Sequence, residues 1–192
     1  WVLCLQKGVP MTVSESRSIP SRLAPVLEAL ELDQPRVVTA DSLAQLARDQ
    51  RVDIDGVHLA YELRRLGWLL GLRTKGAWEF VPGARAGRFD AGDRYIELRA
   101  AIAVDAEFQG ALAMESAAVA LGLAGRIPDR EVLWVPPDNR APKSFGNWRV
   151  IRLPVRDDGI ASVDGLPTWR AETLLGGMAR RPDGFHDWPN VG

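Results

Sequence analysis

Val37–Val81, VVTADSLAQLARDQRVDIDGVHLAYELRRLGWLLGLRTKGAWEFV, carries two helical periods in succession and then two short apolar runs around a basic turn. Val37 and Val38 read as a very short strand. Behind them Thr39, with Asp41 beside it, supplies an N-cap for a helix whose apolar positions are Leu43, Leu46 and Ala47. Asp53 and Asp55 both offer caps for a further helix from about Gly56 to Leu66. There Leu59, Leu63 and Leu66 share one face and Gly67 marks the stop. Trp68–Leu72 and Ala77–Val81 are expected strands, joined by Arg73, Thr74, Lys75 and Gly76 as a hairpin with a basic tip. Helix, helix and hairpin in that order predict a winged helix-turn-helix, and in that arrangement the later helix lies in the major groove of DNA.

Upstream, Leu23, Val26, Leu27 and Leu30 predict a first helix over about Ser21–Glu31, with Pro25 tolerated near its start. Residues 1–19 are expected to form a disordered tail. WVLCLQKGV is too short an apolar run for a signal peptide, and it precedes Met11. Downstream, Pro82–Gly92 is rich in Gly, Ala, Arg and Asp without a period, which predicts a linker. The expected organisation is therefore a DNA-binding domain over 20–83, a linker over 84–94 and a second, mixed α/β domain over 95–192. The fold class is α+β. In the second domain Tyr95–Ala106 and Ala111–Leu123 are expected helices, Glu131–Val135 and Trp148–Val155 expected strands, and another helix is expected to begin near Thr168, with Ala171, Leu174, Leu175 and Met178 inward. The ending HDWPNVG has no stop character, so this domain is expected to be cut short.

Composition bounds the function. With 46% hydrophobic and 26% charged residues the chain reads as a globular protein, and no stretch is long and apolar enough to predict a membrane span. The lone Cys4 permits no internal disulfide and no cysteine-rich zinc site, which suits a reducing compartment and makes the cytoplasm the default expectation. A net charge of −1 runs against a phosphate-binding protein, but the charge is uneven. From Arg64 through Arg99 there are eight basic residues against four acidic ones, enough for a local positive face.

Base contacts fall by geometry to His58, Tyr61 and Arg65 on the outer face of the groove helix, with Arg64 turned toward its flank. Arg73 and Lys75 at the hairpin tip suit phosphates or the minor groove, and Thr39 or Ser42 could add a phosphate contact at a helix start. Catalytic patterns are weak. His58 and His186 are the two histidines, with neither HExxH nor CxxC spacing around them, and no GxxxxGK[ST] or GxSxG stretch occurs. Asp105 with Glu107, and Glu131 on an expected strand near Lys143, make a nuclease-like carboxylate set of a kind that often arises by chance. No catalysis, cofactor or metal is expected. Of seven tryptophans, Trp68, Trp78, Trp134 and Trp148 read as core, while Trp169 and Trp188 are undecided.

ELRRLGWLLGLRTKGAWEFVPGARAG (Glu62–Gly87), AMESAAVALGL (Ala113–Leu123), VLWVPP (Val132–Pro137) and GLPTWRAETLL (Gly165–Leu175) together resemble the AbiEi family of antitoxins, in particular its actinobacterial members with an N-terminal winged helix. The resemblance covers about Pro20–Phe185. It implies a transcriptional autorepressor and antitoxin of a two-gene operon, binding promoter repeats through the winged helix, with a nucleotidyltransferase toxin as partner. It also implies that the second domain carries the antitoxin activity and helps DNA binding. By position the DNA-reading surface maps to His58, Tyr61, Arg64, Arg65, Arg73 and Lys75. The reading from another class is a winged-helix module that neutralises a partner protein without touching DNA.

Overall fold

The computed structural model describes residues 19–83, 92–182 and 185 of the 192. Residues 1–18 of the expected tail, most of the expected linker, His186 and Trp188 lie outside the described residues. Six α-helices and two sheets make a mixed α+β architecture among the described residues.

A 3-10 turn at Ser21–Leu23 runs into α1 (Ala24–Asp33), where Pro25 sits in the first turn and loses no helical hydrogen bond. After β1 (Val37–Thr39), Thr39 caps α2 (Ala40–Asp49) through a reciprocal box: its Oγ1 accepts the Ser42 N–H at 3.1 Å, and Ser42 Oγ accepts the Thr39 N–H at 2.8 Å. Of the two expected caps for α3 (Gly56–Arg65), Asp55 is the one that forms, its Oδ1 accepting the N–H groups of Val57 and His58 at 3.0 Å each. Gly56 lets α3 start hard against α2, since a Cβ there would lie 1.8 Å from the Ala40 carbonyl oxygen.

β2 (Leu69–Gly71) and β3 (Ala77–Phe80) form the expected hairpin, and β1 adds to β3 to give an antiparallel sheet in the order β1-β3-β2. Cross-strand partners share a face. Val38, Leu69 and Phe80 thus turn into one apolar cluster with Leu23, Val26, Leu27, Leu30, Leu43, Leu59 and Leu63 of the helices. The opposite face, with Val37, Ala77 and Glu79, is met by α4 (Ile96–Val104), which packs against β1 and β3. Ala77 and Ala100 are both buried yet belong to none of the three large apolar clusters, and such small side chains let a helix approach a sheet closely.

The rest follows β4 (Ala111–Leu112), α5 (Met114–Ala120), β5 (Val132–Trp134), β6 (Arg149–Ile151), β7 (Ile160–Val163), β8 (Leu166–Trp169) and α6 (Ala171–Arg180). The second sheet runs β6-β5-β4-β8-β7, with β4–β8 and β5–β6 parallel and the other pairs antiparallel. One cluster gathers Ala113, Ala117, Trp134, Trp169, Leu174 and Met178 with α5 and α6; another gathers Leu98, Leu112, Leu133, Phe145 and Trp148 with α4. Trp169, undecided from sequence, is fully buried core.

Three expectations need correction. Ala111–Leu123 is not one helix: its first two residues form β4, Ala113 is extended, and α5 starts only at Met114, whose φ is +47°. Because every residue from Ala111 to Ala118 is buried, the segment has no polar face from which a period could be read. Thr168 lies inside β8 rather than at a helix start, and the β7–β8 hairpin went unpredicted although Asp164 and Gly165, at φ +50° and +73°, are the Asp-Gly pair such turns favour. The described end of the expected linker is also no free connector, because Asp93 is held by two arginines.

Candidate nucleic-acid interface

α3 presents Val57, His58, Tyr61, Arg64 and Arg65 to solvent, because Gly56, Leu59, Ala60 and Leu63 take the inward positions of its period. His58 is not a free reader of base edges. Its Nδ1 contacts the carboxylate of Asp55, the residue that caps its own helix. That hydrogen bond, with the attraction between the charges, raises the imidazole above its ordinary value; the His58 backbone N–H, chiefly, holds Asp55 below its own. Tyr61 is unobstructed, while Glu62 beside it holds Arg22 at 2.6 Å. Arg64 turns toward the hairpin: a Cβ on Gly71 would lie 3.5 Å from its Nη2, so the guanidinium rests against the end of β2. This side chain joins helix and hairpin into one surface.

The turn between β2 and β3 closes at Gly76, whose φ of +82° suits a residue without Cβ. Arg73 and Lys75 are exposed there. Their backbone faces the other way. Glu97, in the first turn of α4, accepts the Arg73 N–H at 2.8 Å through Oε1 and the Thr74 N–H and hydroxyl at 3.1 and 2.9 Å through Oε2. Two consecutive amides and a hydroxyl closing on one carboxylate make an anion nest filled from within the chain.

The positive face is narrower than the count from Arg64 to Arg99 suggested. Arg94 donates to Glu131, which also accepts the Ser116 hydroxyl at 2.5 Å. Arg99 and Arg36 both bond Asp93 and Asp164, a closed quartet of alternating charge with contacts of 2.5 to 3.0 Å. Burial alone would push Asp93 up, but the Tyr95 N–H and the two guanidiniums leave it lowered. Arg85 and Arg88 lie outside the described residues. What remains is Arg64, Arg65, Arg73 and Lys75, none of which has an ion-pair partner among the described residues.

Thr39 and Ser42 hydrogen-bond each other in the capping box and offer no ready phosphate contact. The nuclease-like set does not assemble either: Glu131 faces Arg94 and Ser116 rather than Lys143, and Asp105 accepts the Glu107 N–H. Among the described residues no group of three or more His, Cys, Asp or Glu is placed to hold a metal, and no helix is long and apolar enough to cross a membrane. Glu97, Asp93, Arg36 and Asp164 escaped sequence reasoning. Apart from the bonds of Asp93 to Tyr95 and Arg99, theirs join residues 23 to 128 positions apart, for which no local spacing gives a signal.

The structure is similar to the crystal structure of the Rv2827c protein from Mycobacterium tuberculosis, with a TM-score of 0.77 and 33% sequence identity over 92% of this chain. This chain spans 66% of the length of that protein. No family model and no curated protein matches the chain.

Proposed function

We propose that residues 20–83 form a winged helix-turn-helix that binds duplex DNA, with α3 in the major groove and the β2–β3 hairpin as the wing. In this reading the chain is an autorepressor and antitoxin of a toxin–antitoxin operon, acting in the cytoplasm, and residues 95–192 belong to the antitoxin domain. The observation that carries the DNA reading is the set of four cations on α3 and the hairpin, Arg64, Arg65, Arg73 and Lys75, with no ion-pair partner among the described residues, whereas Arg22, Arg36, Arg94 and Arg99 are held by carboxylates. Arg65, Arg73 and Lys75 suit phosphates, Arg64 bridges helix and wing, and Tyr61 is the side chain best presented to base edges. His58 adds positive charge when protonated. The antitoxin role and its nucleotidyltransferase partner rest on the AbiEi resemblance.

The test is titration of the full chain against a duplex from its own promoter over a range of salt. Saturable binding is expected, with log affinity falling against log salt at a slope of about 3 to 4, close to one unit per cation. A slope near zero, or no binding at moderate salt, overturns the reading. One observation favours the other class: Val57 and Tyr61 are 63% and 66% exposed on the same helix face, beside the acidic Asp55. An apolar and acidic strip of this kind suits a protein partner. Co-purification with the neighbouring nucleotidyltransferase by a chain that ignores the promoter duplex would select that reading.

A further inference from the structure

We infer that Glu97 is a positioning residue for DNA binding: from α4 it fixes the wing in the orientation that meets the duplex, although it touches no DNA itself. The inference rests on the DNA reading above. The hairpin is short, its turn is solvent-exposed, and its tip carries Arg73 and Lys75 on a glycine-closed loop that nothing else among the described residues tethers from outside the sheet. Glu97 contacts the turn only through backbone amides and the Thr74 hydroxyl, so it sets direction while leaving both cationic side chains outside. The tether reaches across from the segment after the expected linker. Four further bonds, from Arg36 and Arg99 to Asp93 and Asp164, tie the start of β1 to the same helix and to the β7–β8 turn. Wing and α3 are therefore presented as one fixed surface.

Sign separates this from simple charge. Glu97 is an anion close to a phosphate-binding tip, so deleting it would strengthen DNA binding if its field were all that mattered. A positioning role predicts the reverse. If the untethered wing holds the binding orientation about one-tenth of the time, apparent affinity falls about tenfold. Because the cations themselves are unchanged, the salt slope stays where it was.

The experiment compares Glu97→Ala, Thr74→Val and Thr74→Ser with wild type in two measurements on the full chain. The first is binding of the promoter duplex across salt, and the second is hydrogen exchange at the Arg73 and Thr74 amides without DNA. Glu97→Ala is expected to bind about tenfold more weakly with an unchanged slope and to lose amide protection. Thr74→Val, which removes one donor and no charge, is expected to shift both measurements in the same direction, and Thr74→Ser to restore them. Equal or tighter binding by Glu97→Ala, or unaltered amide protection, overturns the inference while leaving the DNA reading intact. A wild-type chain that does not bind the duplex fails at the first measurement, and both readings fall together.

Discussion

Two groups of arginines, one on α3 and the hairpin and one around α4, show opposite fates for the same side chain. Arg94 and Arg99 are partly buried and bonded to Glu131, Asp93 and Asp164, so each contributes to holding the chain's own parts together. Arg64, Arg65 and Arg73 lie on the surface with no carboxylate partner among the described residues. The difference comes from what faces the cation and not from its position in a basic stretch. Only the second group retains charge available to an external anion.

The contrast breaks most sharply at Arg94. Arg94→Ala leaves the Glu131 carboxylate, 13% exposed, without its guanidinium, and is expected to lower unfolding stability by about 3 kcal/mol in a denaturant titration. A loss below about 0.5 kcal/mol, the usual range for surface changes, would erase the distinction between the two groups. Arg73→Ala combined with Lys75→Ala should do the converse. Stability should change by less than about 0.5 kcal/mol, while the salt slope of duplex binding drops by about two units. An unchanged slope would remove these two residues from the interface.

The smallest effect belongs to His58 and Asp55, where the comparison sharpens because a cation on the exposed surface does have a partner. His58 is raised from 6.5, so its contribution is complete below that value and is lost as pH climbs through the raised one. Asp55 is lowered from 3.8, so its contribution is present above that value and is lost as pH falls through the lowered one. The pair therefore contributes fully between pH 3.8 and 6.5. An NMR titration of the His58 ring in Asp55→Asn should bring its midpoint back toward the ordinary histidine value; a midpoint that stays raised assigns the shift to another group.

Much of the N-terminal half was legible because its signals are local. Thr39, Asp55 and Gly67 mark helix ends, and Leu59 and Leu63 repeat at helical spacing, so elements and caps could be read before any contact was known. The C-terminal half resisted for physical reasons. β4 has two residues, and the alanine-rich segment that follows it is buried on every side, so neither period appears in it. Asp164-Gly165 is a local hairpin signal, but the strands it joins, β7 and β8, have only four residues each. At the candidate interface the exposed cations were legible from α3 and the turn. Which of the neighbouring arginines keep their charge was not, since Glu131, Asp93 and Asp164 reach them only through tertiary packing.

α4 stands between the two sheets, its Leu98 and Ala101 turned to the second and its flank against β1 and β3 of the first. A cut after residue 83 would therefore strip a roof from the N-terminal half, wetting Val37 and Ala77 and releasing the β2–β3 turn. The portion that looks in sequence like a self-sufficient module borrows its last wall from the neighbour it was expected to be separable from.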